Sequence, residues 1–220
     1  MEIIQNLVSL SKYNIKCPYP MEAQFIVVHN TANDASAMSE VTYMIGNNNP
    51  VSFHYAVDDK QIVQGIPEDR NAWHAGDGGS GKGNRYGLSI EICYSKSGGS
   101  RFIEAEKLAA KFIAYKLKEK DWGIDRVKKH QDFSGKYCPH RTLDMGWQRF
   151  LNMVQAELNA LKGVDKVTNK KEDNTPSTWA KEAWDWAKKN GITDGTRPRD
   201  NATREEIVTM LYRIMKEGSK

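Results

Sequence analysis

Gln24-Phe25-Ile26-Val27-Val28-His29 decides the fold. Four apolar residues, three of them β-branched, form a short unbroken run instead of an alternating one. That pattern marks a central strand covered on both faces, as in sheets flanked by helices. The run ends on His29, and Asn30-Thr31-Ala32-Asn33-Asp34 follows as a loop. A second stretch, Lys129-His130-Gln131-Asp132-Phe133-Ser134-Gly135-Lys136-Tyr137-Cys138-Pro139-His140, sets a His and a Cys in a polar, glycine-containing loop, with Lys136 just before the Cys. His130 and Cys138 are both suitable zinc ligands, and His29 offers a third. Three protein donors with one open position describe a catalytic zinc.

Outward from these stretches the chain alternates between strand and helix patterns. A helix is predicted over Ala35 to Ile45, stopped by Gly46 and the asparagine run. A hairpin follows, Phe53–Val57 against Gln61–Gln64 across Asp58-Asp59-Lys60. Residues 65–85 read as a long loop holding Trp73-His74-Ala75-Gly76. Loops of that length in a small domain are usually functional, and this one can line a cleft. Tyr86 to Tyr94 is the next strand. Glu104 to Lys120 is a long amphipathic helix, with Leu108, Phe112, Ile113 and Tyr115 inward. Met145 to Leu161 is another, with Trp147, Phe150, Leu151, Val154, Leu158 and Leu161 at helical spacing and Gly163 at its end. Residues 1–23 read as irregular. The pattern gives an α/β domain with a mixed central sheet flanked by helices.

Beyond Gly163 the character changes. Val164 to Thr175 is polar and aperiodic, the composition of a linker. Ser177 to Asn190 carries Trp179, Ala183, Trp186 and Ala187 on one helical face. Thr193 to Pro198 is turn chemistry, and Thr203-Arg204-Glu205-Glu206 is a capping box opening a helix with Ile207, Met210, Leu211 and Ile214 inward. The expected organisation is therefore residues 1–163, a linker at 164–175, and a small all-α helical hairpin at 176–220.

Composition narrows the function. The net charge is +4, with 20 basic and 18 acidic residues up to Gly163 and 12 and 10 beyond it. Neither part is basic enough for a nucleic-acid binder, although a slight positive balance suits an anionic polymer such as a cell wall. No apolar run reaches the ~20 residues of a membrane span. Three cysteines (Cys17, Cys93, Cys138) and an N-terminus without a secretory signal argue against a disulfide framework. Cys93 reads as a small buried hydrophobe; Cys17 and His140 receive no role.

The stretches Ile26-Val27-Val28-His29-Asn30-Thr31, Ser52-Phe53-His54-Tyr55, Trp73-His74-Ala75-Gly76, Gly87-Leu88-Ser89-Ile90-Glu91, and His130-Gln131-Asp132 with Lys136-Tyr137-Cys138-Pro139 together resemble the type 2 N-acetylmuramoyl-L-alanine amidases. That family includes phage endolysins and peptidoglycan recognition proteins, and the resemblance covers roughly residues 20–160. The wording looks especially like endolysins of phages and prophages of Gram-positive spore-formers. The resemblance implies one zinc ion per chain on His29, His130 and Cys138. It implies hydrolysis of the amide between N-acetylmuramic acid and L-alanine of peptidoglycan, and a catalytic Lys at Lys136, whose ammonium could meet the oxyanion. Glu91, a carboxylate in an apolar strand, is the candidate for proton transfer. Some members carry a Tyr where this chain has Phe53, which has no hydroxyl, so proton transfer rests on Glu91. His54 and His74 are either structural histidines or cleft-lining groups that, with Trp73, contact substrate.

The C-terminal hairpin resembles one S-layer homology repeat, through Trp179-Ala180-Lys181-Glu182-Ala183, Trp186-Ala187, Asn190–Thr196 and Thr203–Glu206 with Leu211-Tyr212-Arg213. The resemblance implies a secondary cell-wall polymer as ligand, or association of hairpins from several chains, because one hairpin cannot bury its own apolar face. The expected setting is an endolysin made in the host cytoplasm that reaches the wall after membrane permeabilisation. A bacterial autolysin, a cytoplasmic muropeptide-recycling amidase and a non-catalytic peptidoglycan-binding protein are the competing readings.

Overall fold

The computed structural model describes residues 1–169, 175–196, 198, 202 and 204–217. Six strands form one sheet: β1 (Ile4–Gln5), β2 (Phe25–Asn30), β3 (Tyr55–Val57), β4 (Ile62–Gln64), β5 (Gly87–Ile92) and β6 (Val127–Lys129), in the order β1-β4-β3-β5-β2-β6. β4 runs antiparallel to β3, and every other neighbouring pair is parallel. The helices of this unit are α1 (Tyr13–Lys16), α2 (Ala37–Gly46), α3 (Lys82–Tyr86), α4 (Gly99–Glu119), α5 (Gln131–Ser134), α6 (His140–Asp144) and α7 (Trp147–Asn169). The mixed, helix-flanked sheet is as expected, and the reason is visible in β2. Ile26, Val27 and Val28 are all fully buried, so no position of this strand had to be polar.

Register decides which side chains reach the site. Tyr55 packs its ring against Phe112 of α4 and is level with Ile90 of β5, while Ile90 is level with Val28 of β2. Strand side chains alternate. The next positions, Ala56, Glu91 and His29, are therefore also level with one another and point to the opposite face. α4 and α7 are joined by Arg149 donating to the buried Glu106 at 2.7 Å.

The N-terminal segment holds one wall of that opposite face. Lys12 donates to the carbonyls of Ile45, Gly46 and Asn47 at the end of α2, where a cation suits the helix dipole. Lys16 is fully buried and donates to Asn47 Oδ1 at 2.9 Å and Val51 O at 3.1 Å. At its start α2 is capped by Ser36, which accepts from the Ser39 amide.

A half-buried ion cluster ties β3 to α4. Glu68 accepts from the Tyr55 hydroxyl at 2.7 Å and meets Lys116 at 2.8 Å and Lys120 at 3.0 Å. Burial alone would raise its pKa, but the bonds from Lys116, Tyr55 and Lys120 outweigh that and bring it to about 2. A depressed carboxylate stabilises the fold above its unfolded value of about 4.5, and that contribution disappears as pH falls toward 2. Glu68→Gln is expected to lower stability at pH 7 by about 2 kcal/mol and to flatten the acid-unfolding curve between pH 4.5 and 2. Urea titrations across that range would measure both.

Several boundaries differ from the sequence reading. The hairpin is shorter, Tyr55–Val57 against Ile62–Gln64. α4 begins at Gly99, ahead of Glu104, because Phe102 adds a fully buried turn. α7 continues past Gly163 to Asn169; that glycine is not in the left-handed conformation a terminating glycine adopts. The expected linker is thus helical through Asn169, and residues 170–174 lie outside the described residues. β1 and β6 were not expected at all.

The chain divides into two compact units, Met1–Gly163 and Val164–Lys220. In the second, a short turn at Thr178–Ala180 leads into α8 (Lys181–Lys189), and α9 (Arg204–Glu217) follows. The capping Thr203 and the turn residue Arg197 lie outside the described residues. Ile207, Leu211 and Ile214, expected to face inward, are exposed, as are Trp179 and Trp186. Two short helices offer too little surface to enclose them.

Candidate metal centre

Three neighbouring parallel strands, β5, β2 and β6, deliver the site at their carboxyl ends, where ligands sit in open α/β sheets. His29 is the fifth residue of β2. Glu91 holds the matching place on β5 and is level with it. His130 follows the last residue of β6, its amide donating to Val28 O at 3.3 Å. Cys138 arrives from the loop between α5 and α6.

The donor atoms of His29, His130 and Cys138 all lie within 4.8 Å of one another, and all three residues are buried. His29 Nδ1 is 3.0 Å from His130 Nδ1 and 3.9 Å from Cys138 Sγ. Zinc–nitrogen and zinc–sulfur bonds in a tetrahedron give edges of about 3.3 and 3.6 Å, so these residues fit the ion. Their proton chemistry fits as well. Burial, then the charges of His74, His130 and Lys136, hold the His29 imidazole well below its usual pKa, and burial with Lys136 lowers His130. Both rings are therefore neutral donors. Burial and the charge of Glu91 push the Cys138 thiol up to about 11, against the backbone amides of Asn30 and His140 and the charge of Lys136. Those two amides and that ammonium are positioned to support a thiolate.

Asn30 sets the Cys138 loop. Its Oδ1 accepts from the amides of Arg141 and Thr142, so a side chain of β2 caps the first turn of α6. Arg141 in turn donates from its guanidinium to Ser95 O and Lys96 O. It packs where a Cβ on Gly98 would stand, 2.4 Å from that position. Sequence reasoning missed both Asn30 and Arg141. The available signal was an Asn directly after a ligand at a strand end.

Glu91 is the residue most changed by its surroundings. Its Oε1 is 4.0 Å from His29 Nδ1, and its Oε2 has no hydrogen-bond partner. Burial, reinforced by Glu40 and opposed by Lys136, raises its pKa to about 8. Glu91, Lys136 and Phe53 line one cavity of about 240 Å³, together with Glu40, Tyr43 and Thr31. Phe53 is there with no hydroxyl to offer, as its sequence position implied.

The three other candidates do not reach that cavity. His54 is fully buried, with Nδ1 on Ser89 Oγ at 3.0 Å and Nε2 on Arg70 O at 2.9 Å, so its ring has no free edge for a ligand. Trp73 is half-buried and donates its indole N–H to Ile15 O at 3.0 Å. His74 is buried beside His29. Each of the three is engaged inside the protein through these bonds, the structural alternative left open for the two histidines.

Two imidazoles and a thiol at the ends of parallel strands, with a carboxylate beside them, could hold a metal ion. A family model described as N-acetylmuramoyl-L-alanine amidase matches residues 19–141. The N-acetylmuramoyl-L-alanine amidase CwlA of Bacillus subtilis is 57% identical over 183 residues, covering 80% of this chain and 67% of CwlA. The structure of PlyL is 55% identical with a TM-score of 0.68, covering 70% of this chain and 97% of PlyL. A mutant endolysin from Bacillus subtilis is 36% identical with a TM-score of 0.63, covering 70% and 99%. The chain belongs to the N-acetylmuramoyl-L-alanine amidase family, and is an enzyme of that class acting on peptidoglycan.

Proposed function

We propose that the protein is a zinc-dependent endolysin that cuts the amide between N-acetylmuramic acid and the first L-alanine of the stem peptide. The observation that carries the reading is the clustering of the His29, His130 and Cys138 donor atoms, with Glu91, which lines a cavity together with Lys136, 4.0 Å from His29. An amide resists water because its carbonyl carbon is a poor electrophile and its nitrogen a poor leaving group. His29, His130 and Cys138 would hold a zinc ion, which when bound would polarise the carbonyl and acidify a water toward neutrality. Glu91 takes the proton of the attacking water and passes it to the departing nitrogen. In the metal-free state burial raises the pKa of the Glu91 carboxyl to about 8; a cation bound beside it would favour the ionised form that accepts a proton. Lys136 holds the negative charge that develops on the carbonyl oxygen, a contribution worth about 3 kcal/mol in comparable sites. Asn30 and Arg141 keep the Cys138 loop in place, and Lys12 and Lys16 keep the Asn47–Val51 wall of the cavity.

The endolysin role is supported by the likeness to the Bacillus subtilis endolysin structure. The second unit, with its exposed tryptophans and leucine, serves as a wall-binding or self-associating module of S-layer homology type. Among the described residues no helix is long and apolar enough to cross a membrane, and peptidoglycan is the partner.

Digestion of purified Gram-positive walls tests the bond assignment. The expected products are new N-terminal L-alanine with no new reducing sugars. Reducing ends without new amino termini would overturn the reading.

A further inference from the structure

We propose that His74 is a positioning residue for the metal centre: it fixes the tautomer and ring plane of His29, so that His29 presents a bare Nδ1 to the ion. The inference rests on the zinc reading above and gives His74 a role other than substrate contact. A chain of three contacts carries it. His74 Nε2 lies 3.2 Å from Gly87 O, and His74 Nδ1 lies 3.0 Å from His29 Nε2. A carbonyl oxygen only accepts, so His74 Nε2 carries the proton. In a neutral ring Nδ1 is then a lone pair, and it needs a donor. His29 Nε2 must supply that proton, which leaves His29 Nδ1 bare and 3.0 Å from His130 Nδ1. The bare His29 Nδ1 is then free to accept from His130 or to bind a cation.

The surroundings of His74 hold this geometry. Asn84 Oδ1 accepts from the amides of both His74 and Ala75 at 2.8 Å, and Asp77 accepts from the amides of Gly83 and Asn84. Gly87 can bring its carbonyl close because it has no Cβ; one would stand 2.6 Å from Gly83 O and 2.7 Å from Val27 Cγ2. The His29 and His74 rings meet edge-on at 89°, and burial keeps water from competing for the bond.

The test measures zinc affinity of the full-length protein by chelator competition, for wild type, His74→Ala and His74→Asn. His74→Ala is expected to bind zinc about 10- to 100-fold more weakly. In His74→Asn the amide oxygen stands where Nδ1 stood and accepts the same proton, so affinity should stay within about threefold of wild type. Equal affinity of wild type and His74→Ala would overturn the inference, as would equal losses in both variants. A second readout needs no variant: nitrogen-15 NMR of the metal-free wild type should show His29 protonated at Nε2. Protonation at Nδ1 would overturn the inference even if the alanine variant fails to fold. Failure of the wild type itself to bind zinc would instead remove the zinc reading.

Discussion

Glu91→Gln is expected to lower peptidoglycan hydrolysis by about a thousandfold while leaving the zinc content at one per chain. The substitution keeps shape and volume and removes only the ability to take and return a proton. None of the three metal donors is touched, because Glu91 stands 4.0 Å from His29 and is not among the clustered ligands. The same variant carries a stability signature in the metal-free state. Glu91 holds its proton to about pH 8 in the fold but loses it near 4.5 when unfolded. A raised carboxylate favours the fold below pH 4.5, and that advantage is lost as pH rises to 8. Above pH 8 the metal-free native protein carries a partly buried charge, with one oxygen unpartnered, that glutamine lacks. The metal-free variant should therefore melt several degrees higher than wild type at pH 8.5 and close to wild type at pH 4. Calorimetry at the two pH values, beside wall-lysis rates and metal analysis, checks all three statements. Unchanged lysis would remove Glu91 from the proton-transfer step.

Cys138→Ser is expected to abolish lysis through the metal instead. The hydroxyl is a weaker, harder donor that stays protonated where a thiol gives up its proton to a bound cation. The loop should survive, because Asn30 Oδ1 and the Arg141 guanidinium hold it through the amides of residues 141 and 142 and the carbonyls of 95 and 96. Expected results are zinc below about a tenth of an equivalent after dialysis and hydrolysis reduced at least a thousandfold, with a near-native circular dichroism spectrum. The raised thiol pKa of wild type adds a check. Binding must displace that proton, so apparent zinc affinity should climb about tenfold per pH unit above neutrality. Lysis that persists in a variant lacking zinc would sink the zinc mechanism.

How much of this was legible in the sequence varied with the kind of signal. β2 was plain because a four-residue apolar run in a polar neighbourhood has few other uses. α4 and α7 were plain because their stripes repeat at helical spacing. β6 was invisible: Val127-Lys128-Lys129 has one apolar side chain and becomes a strand only because β2 offers an unpaired edge. The metal donors and Glu91 could be named because each is a polar residue where local pattern asks for an apolar one, or lies in a motif the resemblance covers. His54, His74 and Trp73 stayed open between frame and substrate for the same reason. Polar and aromatic residues in a loop or strand look functional, and only tertiary hydrogen bonds to Ser89, Gly87 and Ile15 reveal that they support the frame. Asn30 and Arg141 join segments more than a hundred residues apart, which no local periodicity reports.

The level pairing of His29 with Glu91 makes the ladder between β2 and β5 a proofreading device. Sliding either strand by one residue would bring Ile90 or Ile92 beside His29 and turn the Glu91 carboxylate toward Phe112 and the rest of the core. Such a misassembled sheet would bear the desolvation of an unpartnered charge in its interior. The residue proposed for proton transfer thus also rejects the wrong register, and a chain that escapes the error has, by the same alignment, already set Glu91 beside His29.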